Sequence, residues 1–177
     1  MTGPTQRGAG GGEMGGGNDG GNQRVVSVAT WNMSRWTEVT AEQAMGLGVD
    51  LIALQETRLA AVELNRTQRA LAARGWKLHH GAAVPERAGG VAGVSCGTGF
   101  LVAPGRAVTP LNPIGGAWRR LHAAGRIHAV RIPDSDGQGH LRVVSVYAPY
   151  RRGNGEEKEV FADAMWEMVS AGTCRSP

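Results

Sequence analysis

An apolar, β-branched run that stops on a polar side chain constrains the fold of this chain more than any other feature. The run spans Arg24 to Asn32 (RVVSVATWN), and neither glycine nor proline interrupts it. Such a run is typical of a buried β-strand. We therefore predict a strand over Arg24–Asn32 that presents the Asn32 side chain at its C-terminal end.

A second run repeats this arrangement. Residues Asp50 to Glu56 (DLIALQE) lead through apolar and small side chains to Gln55 and then to the carboxylate of Glu56. Magnesium prefers oxygen ligands, and it commonly takes only one or two protein carboxylates while keeping waters or substrate phosphates. Two buried strands that end in Asn32 and Glu56 therefore predict part of a Mg²⁺ site, which Mn²⁺ could also occupy.

The composition is that of a globular chain. Its 177 residues are enough for one domain with a hydrophobic core. The mean hydropathy is -0.24. No apolar run approaches the roughly 20 residues that a membrane-spanning helix needs, and the N-terminus lacks the apolar core of a signal peptide. We therefore expect an intracellular protein without a membrane partner.

Positive charge in this chain is carried almost entirely by arginine. The formal net charge is +4, and the isoelectric point is about 9.7. Lys77 and Lys158 are the only lysines. Because the guanidinium fork matches phosphate geometry, this balance favours a phosphate-rich partner. A GC-rich genome would enrich arginine, glycine and alanine equally well, so composition leaves both explanations open.

The chain divides into a glycine-rich tail and one domain. Residues 1–23 offer little apolar surface to bury, so we predict a disordered tail there. Residues 24–177 carry strand and helix signals separated by glycines and prolines. After the first strand we predict a short helix, capped by Thr37 or Thr40, and a second strand from Val49.

The remaining elements make the second half of the domain richer in strands. The Trp118-Arg119-Arg120 sequence lies in a weakly patterned segment and looks like an exposed loop that could stack on and clamp nucleic acid. An order of two strand–helix units, further strands and a last helix predicts a layered α/β or α+β domain. The other expected elements are a helix ending at Gly75, strands over Trp76–His80, Cys96–Ala103, Arg126–Ile132 and Leu141–Tyr147, and a final helix after Asn154.

Four short motifs, in this order and each beside a predicted strand, carry a resemblance to a known family. They are Thr-Trp-Asn at 30–32, Leu-Gln-Glu-Thr at 54–57, Gly-Thr-Gly-Phe-Leu-Val at 97–102 and Val-Tyr-Ala-Pro at 146–149. Together they resemble the N-terminal half of the endonuclease/exonuclease/phosphatase superfamily, which has the deoxyribonuclease I-like fold. The chain is most similar to the endonuclease domains of long interspersed retroelements and to apurinic endonucleases of the exonuclease III type.

The resemblance implies a fold, a reaction and a set of site residues. The fold would be a layered α/β sandwich, and the reaction would be Mg²⁺- or Mn²⁺-dependent hydrolysis of a phosphodiester in DNA. Glu56 would bind the metal, and Asn32 would lie near both the metal and the attacked phosphate. Tyr147 would contact the phosphate, and Arg126 would face the nucleic acid.

The chain also departs from the family pattern. Tyr150 stands where the nuclease branch usually has Asn, and the Gly-Asp-x-Asn and Ser-Asp-His motifs do not occur after the last predicted helix. The resemblance therefore implies about the first half of the domain, without the aspartate that activates water, and an inactive chain. It also leads us to expect that the inward face of the strands lacks a partner sheet and exposes a large apolar patch.

Several alternatives stay open from the residues alone. Asn32 could cap a local turn, and Tyr147 could be a half-buried strand aromatic. The five histidines show no ligand spacing and are interpreted as structural or surface residues. The chain could instead be a phosphoesterase of the same fold acting on inositol or lipid phosphates. It could also be a non-catalytic fragment that binds nucleic acid, and a retroelement origin would bring it to the nucleus.

Overall fold

We describe a computed structural model of the chain over residues 25–82, 97–133, 139–148 and 155–173. The glycine-rich tail, residues 83–96, residues 134–138 and Tyr150 lie outside these ranges. The described elements follow one another as β1 (Val28–Asn32), α1 (Glu38–Met45), β2 (Leu51–Gln55), α2 (Ala61–Ala72), β3 (Lys77–His80), β4 (Gly99–Val102), β5 (Thr109–Pro110), α3 (Gly116–Ala123), β6 (Ile127–Pro133), β7 (His140–Val146) and α4 (Gly155–Thr173).

The first sheet has four strands in the order β1-β2-β4-β3. Strands β1 and β2 are parallel, and their register pairs Val28 with Leu51 and Asn32 with Gln55. Strand β4 runs antiparallel to both β2 and β3. Because parallel strands end at the same edge of a sheet, Asn32 and the residue after Gln55 are brought to one edge.

A second sheet, with the order β5-β6-β7, is antiparallel throughout and packs on the first. The core between the sheets contains Leu51 and Phe100 from the first sheet and Val130 and Ile132 from the second. The expectation that the inward strand faces lack a partner sheet is therefore wrong. It failed because β6 and β7, which come from the same chain, form that partner.

Helices cover the outer face of each sheet. Helices α1 and α2 pack on the first sheet through a cluster that includes Met45, Ile52, Leu54 and Leu71. Helix α3 packs with α4 on the second sheet, around Ile127. The four layers form a layered α/β sandwich, as predicted. Among the residues that the structure describes, no helix is long and apolar enough to cross a membrane.

Local signals explain where the helices begin. Thr37 is the N-cap of α1, as predicted. Its hydroxyl accepts the Thr40 amide at 3.0 Å, and the Thr40 hydroxyl accepts the Thr37 amide at 2.9 Å.

A carboxylate marks the start of β2, at the opposite end of the first sheet from Asn32. Asp50 accepts hydrogen bonds from the Ser27 amide at 2.9 Å and from Arg106 Nε at 2.6 Å. This carboxylate fixes the start of β2.

The segment before β6 differs from its sequence-based description. It contains β5 and α3, and Trp118 is only 4% exposed. The expectation that Trp118 is exposed and available for stacking is therefore wrong, although Arg119 and Arg120 are exposed. Helix α3 is too short for its apolar residues to show a clear helical repeat in the sequence, but in the structure it directs Trp118 into the core. Glu167 of α4 accepts the Trp118 amide at 2.8 Å at the start of α3.

Candidate active site

The four residues singled out from the sequence lie at one edge of the sandwich. Asn32 ends β1 and Glu56 follows β2, and Asn32 Nδ2 donates to Glu56 Oε1 at 3.0 Å. Arg126 and Tyr147 flank the last paired positions of β6 and β7, where the Tyr147 amide donates to the Arg126 carbonyl at 2.8 Å. The Arg126 guanidinium lies 5.2 Å from the centre of the Tyr147 ring. The Tyr147 side chain is close enough to the Glu56 carboxylate to help lower its pKa.

Asn32 closes the local turn that the sequence allowed, and it also contacts Glu56. Its Oδ1 accepts the Ser34 amide at 2.9 Å, which closes a local turn after β1. Its Nδ2 is thereby directed at Glu56. The amide oxygen, which would be the atom that ligates a metal, is engaged by the turn, and the amide nitrogen faces the site as a donor.

The environment of Glu56 favours its anionic form. The hydrogen bond from Asn32 holds the pKa of Glu56 below its ordinary value; partial burial opposes this, and Arg58 and Tyr147 add to the lowering. Arg58 Nη2 lies 3.1 Å from Glu56 Oε2, and the Glu56 side chain is 14% exposed. The carboxylate is therefore charged, oriented and still reachable from solvent.

Two neighbours of this carboxylate were not singled out from the sequence. Arg58 pairs with Glu56, and Thr57 between them is fully buried. Glu56 and Arg58 both have a φ of 53°, in the left-handed region that non-glycine residues rarely adopt. No periodic pattern marks such residues, because strand alternation ends at Gln55. The sequence offers one signal for the Arg58–Glu56 pair, which is that an arginine follows a glutamate two positions later.

A polar bridge between the sheets lies beneath the site. Gln55 Nε2 donates to Thr30 Oγ1 at 3.1 Å and to Ser145 Oγ at 3.3 Å. The Ser145 hydroxyl in turn donates to the Leu54 carbonyl at 2.8 Å. The bridge joins β1, β2 and β7, so it holds the strands that carry Asn32, Glu56 and Tyr147 in a fixed relation.

A groove with a volume of about 540 Å³ lies between α1 and α2. Its floor includes Met45 and Leu71, and Arg58 lies on its rim. The Glu42–Arg74 ion pair spans the two helices that line it. The groove is lined by nearly as many glutamates as arginines, so its net charge is too small to favour an anionic ligand. The chemistry of the site is therefore concentrated at Glu56 and not in the groove.

The donor set fits a hard divalent cation better than a softer ion such as Zn²⁺, which prefers nitrogen and sulfur ligands. Within the described ranges, no three histidine, cysteine, aspartate or glutamate side chains gather closely enough to hold a metal. Glu56 offers a single charged carboxylate, whose Oε1 accepts from Asn32 and whose Oε2 accepts from Arg58. One carboxylate suits Mg²⁺ or Mn²⁺, which can keep waters or substrate oxygens as the other ligands.

Two packed sheets with helices on both outer faces define the class of fold. It is the deoxyribonuclease I-like fold, as the sequence motifs predicted. The AP endonuclease LMAP from Leishmania major has a similar structure, with a TM-score of 0.51 and 18% sequence identity. The match covers 78% of this chain and 46% of the LMAP chain.

Two structures of D. rerio TDP2 are also similar. One is humanized by 14 mutations, with 15% identity, a TM-score of 0.48 and coverage of 82% of this chain and 56% of that chain. The other is complexed with a single strand DNA product, with 15% identity, a TM-score of 0.49 and coverage of 86% and 56%. The chain thus spans about half the length of the solved structures it matches. No protein-family model matches it, and no curated protein sequence does.

Proposed function

We propose that this chain carries the metal-binding part of a phosphodiesterase site that acts on DNA. The observation that supports the proposal best is the contact between Asn32 Nδ2 and Glu56 Oε1, at 3.0 Å, on the edge where Tyr147 and Arg126 also lie. An anionic carboxylate next to an amide donor, a hydroxyl and a guanidinium can receive both a cation and the phosphate that the cation neutralises.

In this proposal each side chain has a distinct role. Glu56 would hold Mg²⁺ or Mn²⁺, which when bound neutralises charge on the phosphoryl and leaving oxygens. Asn32 acts as a hydrogen-bond donor and not as a metal ligand, because its Oδ1 is engaged by the Ser34 amide. The Tyr147 hydroxyl and the Arg126 guanidinium orient the phosphate. Arg58 leaves Glu56 Oε2 when that oxygen takes part in binding the cation.

The described residues around Glu56 supply donors but no additional base. Asn32 and Arg58 only donate to the carboxylate, and the nearby Tyr147 side chain helps to lower the pKa of Glu56. The chain covers 46% of LMAP, and we propose that a complementary segment equivalent to the rest of that fold provides the group that activates water. The 177-residue chain alone would then bind a phosphodiester and hydrolyse it poorly.

The second candidate function is non-catalytic binding of nucleic acid. The ion pair between Arg58 and Glu56 favours it, because a neutralised carboxylate can support a phosphate contact without a metal. We propose DNA rather than inositol or lipid phosphates as the substrate because LMAP is an AP endonuclease. We also propose a retroelement origin, since the four motifs resemble those of retroelement endonucleases as well as those of apurinic endonucleases. A protein of that origin would act inside the cell, in the nucleus.

Replacing Glu56 with glutamine is expected to weaken Mn²⁺ binding by at least about tenfold, because it removes the one charged ligand. Titration calorimetry or Mn²⁺ electron paramagnetic resonance on the full chain would measure this change. The matched control is Glu159→Gln, an identical substitution at an exposed position on α4. Equal Mn²⁺ affinity in the two variants would show that Glu56 is not the metal ligand.

Nicking of supercoiled and abasic DNA by the full chain with Mg²⁺ separates the two functions. We expect DNA binding with little cleavage. Cleavage that is robust and lost in Glu56→Gln would show that the chain itself supplies the base, and it would rule out the non-catalytic function. Binding that is unchanged by Mg²⁺ and by Glu56→Gln would instead favour non-catalytic binding.

A further inference from the structure

We infer that His80 positions the Glu56 carboxylate by anchoring Thr57, the residue between Glu56 and Arg58. The expected effect on metal binding rests on the proposed function, whereas the hydrogen bond between His80 and Thr57 is seen in the structure itself. His80 lies at the end of β3, and its ring nitrogens contact Thr57 and the Gly81 carbonyl rather than Glu56. Its effect on the site would therefore pass through the Thr57 side chain.

Thr57 is held by contacts from three different parts of the chain. Its Oγ1 lies 2.6 Å from His80 Nε2 on β3. Its amide donates to the Gly97 carbonyl at 3.1 Å, and its carbonyl accepts the Trp36 amide at 2.9 Å. The residue is fully buried. Thr57 is thus a fixed point of the loop that carries the site carboxylate.

The two hydrogen bonds of His80 show that Thr57, and not the imidazole, is the donor in the contact between them. His80 Nδ1 lies 3.0 Å from the Gly81 carbonyl, which can only accept, so Nδ1 carries the proton. In the neutral ring Nε2 is then an acceptor, and the Thr57 hydroxyl donates to it. Desolvation lowers the pKa of His80, which keeps the ring neutral. The imidazole therefore fixes one orientation of the Thr57 hydroxyl.

The backbone around Thr57 explains why such an anchor is needed. Glu56 and Arg58, on either side, both have a φ of 53°. This left-handed conformation is unfavourable for residues with a side chain, and it persists only where the surroundings enforce it. If Thr57 were released, Glu56 could relax to ordinary φ values. The carboxylate would then move away from Asn32.

The test compares His80→Phe with His79→Phe, which makes the same change at the adjacent position on β3. His79 is also half-buried, and its Nε2 has no hydrogen-bond partner among the described atoms. We expect His80→Phe to weaken Mn²⁺ binding by about tenfold, as loss of an orienting contact behind a metal ligand typically does. His79→Phe should leave the affinity within about twofold of the unmodified chain.

A second readout does not depend on metal. The side-chain amide of Asn32, observed by NMR, reports its hydrogen bond to Glu56 in metal-free protein. We expect its proton resonances to shift and exchange faster with water in His80→Phe but not in His79→Phe. Thr57→Val removes the hydroxyl at nearly constant shape, so it should change the Asn32 resonances in the same way. Thr57→Ser keeps the hydroxyl and His80→Gln keeps a hydrogen-bonding side chain, so both should leave the Asn32 resonances close to those of the unmodified chain.

The outcomes distinguish this inference from the proposed function. Unchanged Asn32 resonances and unchanged Mn²⁺ affinity in folded His80→Phe and Thr57→Val would overturn the anchor. Shifted Asn32 resonances, together with a Glu56→Gln variant that still binds Mn²⁺ normally, would support the anchor and overturn the metal site instead. If His80→Phe does not fold, Thr57→Val with Thr57→Ser as its control decides the matter by the same two measurements.

Discussion

Replacing Gly97 with alanine is expected to lower the free energy of unfolding by about 2–5 kcal/mol, from left-handed backbone strain and overpacking together. Gly97 has a φ of +99°, and a Cβ there would lie 2.3 Å from Thr57 Oγ1 and 3.1 Å from the Arg58 amide. Its carbonyl also accepts the Thr57 amide, and its own amide donates to Gly125. Neither neighbour can move without loosening the loop that carries Glu56.

Gly105→Ala is the matched control for this change. Gly105 has a φ of +78°, but no atom lies within 4 Å of the Cβ that alanine would add. It therefore tests the backbone strain without the steric clash, and we expect a cost of about 1–2 kcal/mol. Urea denaturation of both variants measures the difference. Equal destabilisation would mean that the close contact between Gly97 and Thr57 does not exist in solution.

The parts of the site that lie on regular strands could be predicted from sequence. Glu56 follows the buried strand β2, and parallel pairing with β1 brings the end of that strand to Asn32. The prediction that the strand ending in Asn32 is buried is wrong, because β1 lies first in the strand order of its sheet and none of its residues is buried. Gly99 of β4 also has no room for a side chain, because a Cβ there would lie 2.7 Å from the His79 carbonyl. These features depend on period and residue type, which a single sequence records.

The parts that sequence missed depend on which segments meet in space. Thr57 and His80 are 23 positions apart, and nothing in either local sequence indicates their contact. The second sheet was mistaken for a missing partner because the motifs show where strands end but not which faces pack together. Trp118 was assigned to an exposed loop because its two arginine neighbours hid an inward-facing position on the short helix α3. All three depend on tertiary packing.

A fall in pH from 7 to 5 is expected to destabilise the fold by about 2 kcal/mol through His128 alone. His128 lies on β6 in contact with the inter-sheet core, is 4% exposed, and neither ring nitrogen has a hydrogen-bond partner among the described atoms. Burial lowers the pKa of His128 to about 3, and the charges of His122, His80 and His79 act in the same direction. Its ring centre lies 5.6 Å from that of His122.

The direction of the effect follows from proton binding. The unfolded chain takes up a proton at this imidazole near the ordinary pKa of 6.5, whereas the folded chain does not until about pH 3. Stability from the neutral ring is therefore complete above pH 6.5 and is lost as the pH falls through this window. The pKa values of His79, His80 and His122 are also lowered by burial, so they add to the loss.

His128→Met tests this account, because methionine fills a similar space without a titrating group. The variant should lose about 2 kcal/mol less than the unmodified chain between pH 7 and pH 5, as measured by urea denaturation. It should be no less stable at pH 7, because it removes a buried imidazole that lacks hydrogen bonds.

Carboxylates do not account for this pH dependence. Asp50 and Glu56, whose pKa values are lowered from 3.8 and 4.5, change the stability of the fold mainly below pH 5. The control is His140→Met at an exposed position on β7, which should keep the full pH dependence. Identical pH dependence in the two variants would show that the His128 ring reaches solvent and is not enclosed by the sheets.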